Sequence, residues 1–155
     1  WKNFDINILF QGVFGNKIYN EPRRWMEKMN EYTNFSSATL NAWSSGKSNS
    51  NFPRFILSDP NLNARSNSDR WLESGSYYPL TRLELGYQLP AAFVKDKLGM
   101  ERIRVYVSGE NLFTVTDYSG YNPDMGNGGN PLNRGFDYGA FPIQRSILAG
   151  LTVSF

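Results

Sequence analysis

A two-residue alternation of apolar and polar side chains, repeated in four separate stretches, limits what this chain can fold into. Near the N-terminus Phe4, Ile6, Ile8 and Phe10 alternate with Asp5, Asn7, Leu9 and Gln11, and Gly12 and Gly15 close the stretch. From about Ser76 to Leu89, Leu83, Leu85, Tyr87 and Leu89 face one way and Arg82, Glu84, Gly86 and Gln88 the other, until Pro90 ends the run. Ile103, Val105 and Val107 then alternate with Arg104, Tyr106 and Ser108. Between Ile143 and Phe155 the apolar face is Ile147, Ala149, Leu151, Val153 and Phe155, opposite Ser146, Gly150, Thr152 and Ser154. Period two predicts strands with one greasy and one mostly polar face.

The segments between these strands run long, short, long. Residues Asn16 to Gly75 are rich in Asn, Ser, Arg and Pro, Ala91 to Glu101 form a brief connector, and Tyr118 to Gly139 are loop by composition. Two short helices are expected in the first long segment. Pro22 is placed for a helix start with Trp25, Met26, Met29 and Tyr32 on one side, and Ser36 is a candidate N-cap before Leu40 and Trp43. A soluble sandwich would have to carry a roughly 60-residue loop with little regular structure, which counts against it. Outer-membrane barrels have this asymmetry as a rule, with long outer loops and short periplasmic turns.

Composition narrows the choice. An apolar share of 40% and a mean hydropathy of -0.49 leave no run long enough for a membrane-spanning helix. A barrel needs only alternate residues to be apolar. The 16 Lys and Arg against 14 Asp and Glu are interspersed, so there is no basic footprint for nucleic acid. With no cysteine and no histidine, thiolate and imidazole chemistry are excluded, and no cofactor is implied. The acids Asp59, Asp69, Glu73 and Asp124 carry no cue that two of them converge as a hydrolase pair. Asn122 to Asn130 offers oxygen ligands but lacks the acid spacing of a calcium loop, and turn formation explains its glycines.

The expectation is therefore an all-β, antiparallel transmembrane barrel of which this chain supplies about four strands. Charge parity agrees. Arg82, Glu84, Arg104 and Glu110 fall on the polar, lumen-facing set with Tyr106, and Arg145 lies roughly 25 Å above Phe155, at the outer rim. If the second and third strands pair as a hairpin, either Arg82 meets Glu110 or Glu84 meets Arg104. Four strands cannot close a barrel, and the chain opens on Trp1 without Met or signal peptide, so the remaining strands are expected from the same polypeptide.

These segments together resemble the C-terminal region of SusC/RagA-type TonB-dependent transporters. The resemblance covers nearly the whole chain. Phe4 to Asn20 (FDINILFQGVFGNKIYN) looks like the family's upward strand, and Asn51-Phe52-Pro53-Arg54 is similar to its Pro-Arg loop element. Ser68 to Pro90 resembles its Ser-Tyr strand ending in Gly-Tyr-x-Leu-Pro. Arg104 to Phe113 (RVYVSGENLF) with Tyr118 to Asp124 is the closest match, completed by Asp137-Tyr138-Gly139, Pro142 and terminal Phe155. Pro79 departs from the pattern, where the family more often has Arg.

The resemblance implies a barrel of about 22 strands with an N-terminal plug, sitting in the Gram-negative outer membrane. The long loops would be extracellular and the C-terminus periplasmic. It implies import of glycans or peptides powered through TonB, a SusD-type surface lipoprotein as lid, and no enzymatic activity. Trp25, Trp43, Tyr118 and Tyr121 are then candidates for substrate or lid contact, since an aromatic face matches a sugar's C–H surface. Packing between loops is the stronger reading for each. Arg104 and Tyr106 would touch plug or cargo, or simply fill space and pair across strands. Phe155 is expected to serve assembly. The alternative from another class is a secreted, aromatic-rich β-sandwich binding module.

Overall fold

The computed structural model describes residues 3–124 and 131–155. The chain is mostly β, with little helix, and divides into two compact units. The first comprises residues 1–14, 77–116 and 142–155.

In this unit β1 (Phe4–Phe10), β4 (Tyr77–Gln88), β5 (Arg102–Thr116) and β7 (Ser146–Ser154) form one open sheet in the order β1-β4-β5-β7. All three pairings are antiparallel. These are the four strands read from the alternation, although the last begins at Ser146, three residues later than expected. Ile143 and Arg145 precede it. Leu85 lies opposite Val107 and Arg82 opposite Glu110, the first of the two expected registers. The register slips between Leu80 and Arg82, where Thr81 on β4 stands against Asn111 and Leu112 on β5. Asn111 has φ 51°, a left-handed conformation that Asn tolerates at such a bulge.

Pairing carries the parity across the sheet. Asp5 and Asn7, Glu84 and Gly86, Tyr106 and Ser108, and Gly150 and Leu148 stand in register on one face. Phe4, Ile6, Ile8, Leu85, Val107, Ile147 and Leu151 lie on the other, and all are well exposed, Ile6 at 65% and Ile147 at 78%. Covering what remains exposed of these seven side chains is worth on the order of 5–15 kcal/mol, comparable with a whole domain's stability, so this face favours an apolar surround. The sheet itself is open, and no barrel closes among the described residues.

The connector between β4 and β5 is helical. Helix α2 (Ala91–Phe93) runs on as a π-helical turn (Val94–Leu98) and stops at Gly99, whose φ of 64° gives the left-handed cap.

The second unit comprises residues 15–76 and 117–141. It departs from the expectation of loop decorated with helices. It holds a second open sheet, order β3-β2-β6, built from β2 (Lys17–Asn20), β3 (Leu72–Ser74) and β6 (Phe136–Asp137). β2 pairs antiparallel with β3 but parallel with β6, so the fold is not purely antiparallel as expected. Ile18, Tyr19 and Asn20 are all buried, so β2 is covered on both faces and has no alternation to read. Ile18, Trp71, Met29 and Ala64 make the core, and the Trp71 indole donates to the Arg65 carbonyl at 3.0 Å.

Helix α1 (Glu21–Glu27) does start with Pro22 in its first turn, capped by Asn20, whose side chain accepts from Arg23 N at 2.9 Å. It ends before Met29. Met29, at φ 52°, leaves the helix and turns into the core, so Trp25, Met26, Met29 and Tyr32 do not share one helical side. Ser36 caps a 3-10 turn (Ser37–Asn41) that includes Leu40 and stops before Trp43.

Candidate functional site

Polar side chains gather in each unit. On the polar face of the four-stranded sheet, Arg104 bridges two strands. Its guanidinium takes Asp5 through Nε at 3.0 Å and Glu84 through Nη2 at 2.6 Å, and lies over the Tyr106 ring at 5.1 Å. Arg82 reaches Glu110 at 2.8 Å. Both acid–base pairs expected of this hairpin are present.

Two glycines make room for this layer. A Cβ on Gly86 would stand 2.4 Å from Arg104 Nη2, and one on Gly150 would stand 2.2 Å from Tyr106 Cζ. Tyr106 faces Gly86 and Gly150 across the two ladders, so its ring lies flat where a neighbour has no side chain. Bare backbone beneath a large ring is why Tyr106 can occupy this face at all.

In the second unit Glu73 on β3 is the centre of a knot. It accepts from Arg23 Nη1 at 2.9 Å, Asn20 Nδ2 at 3.2 Å, Ser119 N at 2.8 Å and the Ser119 hydroxyl at 2.9 Å. Burial pushes its carboxyl up, but the Ser119 donors and Arg23 more than offset this, and the net shift is downward. Asp137 on β6 is buried and accepts from Gly139 N at 2.7 Å, Ala140 N at 2.9 Å and the Tyr118 hydroxyl. Burial first, then this bond to Asp137, pushes the Tyr118 phenol well above its ordinary value. The Glu73 knot joins the 15–76 segment to the 117–141 segment, while the bonds of Asp137 lie within the 117–141 segment.

The four aromatic candidates fare differently. Tyr118 is 5% exposed and acts as an internal strut of its unit, with no ring face to offer. Trp25 is half-exposed, but the Lys28 ammonium covers one face at 3.5 Å from the ring centroid and itself pairs with Glu31. Tyr121 is exposed. Trp43 lines a cavity of about 430 Å³ with Phe52, Arg54, Asp59 and Arg70. A second cavity of about 630 Å³ lies beside Tyr19, with Asn67, Asp69, Leu72, Phe136 and Tyr138 in its wall. Phe155 is exposed on the apolar parity. Among the described residues no cluster of three or more metal-ligating side chains forms, and residues 125–130 of the stretch weighed for calcium lie outside them.

No protein-family model matches the chain. Whole-chain likenesses are nevertheless extensive. TonB-dependent receptor P3 of Formosa agariphila is 36% identical over 160 residues, covering all of this chain and 15% of that receptor. TonB-dependent receptor P39 of the same organism is 30% identical over 158 residues with the same coverage. The RagAB peptide importer in its open-open state superposes over 100% of the chain with a TM-score of 0.82 at 25% identity, using 16% of that chain. The chain is a segment of a SusC/RagA-type TonB-dependent receptor.

The receptor segment thus spans about 15% of the length of the curated relatives it matches. Members of this family are transporters rather than enzymes, and TonB-dependent receptors sit in the outer membrane. The polar-face charges were legible in the sequence, whereas Asn20, Glu73 and Ser119 were not legible as a unit. Their signal was slight, a short polar residue before Glu21-Pro22 and a lone acid in a polar stretch. Nor did any sequence signal single out Arg70, which is half-buried and stands against the Phe52 and Trp71 rings.

Proposed function

We propose that this segment is the C-terminal part of the barrel of an outer-membrane importer that takes up oligosaccharides or peptides with a SusD-type lipoprotein, driven through TonB. The observation that carries the reading is the four-stranded sheet with one exposed apolar face and one face of compensated charge. That arrangement suits a wall between lipid and a wet lumen. Likeness over the whole chain to the RagAB peptide importer supports it.

In this reading the four strands cross the membrane, the 15–76 and 117–141 segments are extracellular, and Phe155 lies at the periplasmic side. Arg82, Glu84, Arg104, Tyr106 and Glu110 face the lumen, where they brace the wall. A β-sandwich binding module would cover its apolar face with a second packed sheet, and the first unit is a single layer.

Two experiments test the proposal. The full-length receptor in a Gram-negative host should fractionate with the outer membrane, and its cargo uptake should collapse when TonB is deleted. The isolated 155-residue segment should not fold as a soluble monomer. A cooperative melt of that monomer without detergent would favour the secreted module instead.

A further inference from the structure

The cavity lined by Trp43, Phe52, Pro53, Arg54, Asp59 and Arg70 is unevenly charged. Arg70 is half-buried, its guanidinium 4.9 Å from the Trp71 ring and 5.3 Å from the Phe52 ring. Its one ion-pair partner among the described residues is Glu27, at 3.9 Å, and Glu27 is held closer by Arg23, at 3.2 Å. Burial, weakly countered by Glu27, lowers the affinity of Arg70 for its proton. Arg54 forms no ion pair among the described residues, and neither guanidinium donates a hydrogen bond there. Asp59, the one acid in the wall, spends both carboxylate oxygens on its own loop, accepting from Asn63 N at 2.9 Å and Ala64 N at 2.8 Å.

Two guanidiniums therefore present up to ten N–H donors to a space of about 430 Å³. Such forks match a carboxylate, which can take two parallel bonds from each. The volume exceeds a carboxylate alone and accommodates a residue-sized unit, with the partly exposed Trp43 ring available to its apolar part.

We propose that this cavity is a subsite for a carboxylate-bearing unit of the imported cargo, held by Arg54 and Arg70 and flanked by Trp43. The proposal rests on the import reading and names the chemistry of what is recognised. A sugar acid and an acidic peptide side chain both supply that carboxylate.

The test uses the full-length receptor with its partner lipoprotein and two matched pairs of probes. One pair is tetragalacturonate against galactotetraose; the other is acetylated, amidated Ala-Glu-Ala-Ala against its Gln counterpart. Wild type should bind the acidic member of one pair about tenfold tighter than the neutral member, and that pair names the source. Arg54→Gln should remove the preference and leave the neutral probe unchanged, whereas Arg54→Lys should keep part of it. Arg54 is exposed, so its replacement leaves the fold intact, with the melting temperature as the check. Absence of acid preference in both pairs, or a preference that survives in Arg54→Gln and in Arg70→Gln, overturns the subsite. If the receptor meanwhile sits in the outer membrane and imports by TonB, the import reading survives that failure.

Discussion

Replacing Glu73 by Gln should loosen the second unit without touching the strands of the first. The amide keeps one acceptor oxygen for Asn20, Arg23 and the Ser119 hydroxyl, but turns an NH2 group toward the Ser119 N–H, now 2.8 Å from carboxylate oxygen. The charge-assisted bond to Arg23 is worth about 1.5–3 kcal/mol, and the partial exposure of both partners favours the low end. The lost Ser119 bond adds about 1 kcal/mol. The total of about 2–3 kcal/mol should raise the open population roughly 30- to 150-fold. Proteolysis of the full-length receptor in detergent reads this directly as faster cleavage within residues 15–76 and 117–141, when opening is fast relative to cleavage. The pH dependence has a fixed sign. Glu73 is lowered from its ordinary 4.5, so its contribution is complete above that value and is lost as pH falls through the folded-state value below it. Cleavage rates that stay equal in wild type and Glu73→Gln at neutral pH would show that Glu73 does not hold these segments together.

Gly150→Val places a Cβ 2.2 Å from Tyr106 Cζ, so the ring must swing off the sheet, at a cost near 1 kcal/mol in heat or urea unfolding of the receptor. In a Tyr106→Ala background the same change should cost nothing. Deleting Phe155 should lower the amount of folded barrel in the outer membrane while each folded copy imports normally; unchanged levels with lost uptake would overturn its assembly role. Arg104→Gln leaves Asp5 and Glu84 facing each other without their shared cation and should lower the urea midpoint of the receptor, whereas Arg104→Lys, which keeps the charge, should lower it less.

What could be read in advance followed one physical signal. The strands β1, β4, β5 and β7 are long enough, and uncovered enough on two unlike faces, to display period two, and the short connector then fixed the β4–β5 pairing. The second sheet has strands of two to four residues. Its partners lie far apart in the chain, Lys17 with Ser74 and Tyr19 with Phe136, and its central strand is buried on both faces. Neither periodicity nor loop length reports such pairing. The helix start at Pro22 and the cap at Ser36 were legible because they are local chemistry. The end of α1 was not, since Met29 leaves the helix for the tertiary reason that the core takes its side chain. Arg54 stood in a recognised Pro-Arg element, but its neighbour Arg70 comes to the same cavity only through folding.

In the import reading the four-stranded sheet is a wall with lipid on one side and water on the other. This stretch has no native cysteine, so in the full-length receptor, with any cysteine outside it replaced, single spin labels can be placed along β4 and β5 in liposomes. Labels at Leu83, Leu85, Val105 and Val107 should relax with oxygen, which concentrates in lipid. Labels at Glu84, Gly86, Tyr106 and Ser108 should relax with a water-soluble nickel complex, giving a strict two-residue alternation. Equal accessibility on both faces, or the opposite phase, would contradict the account.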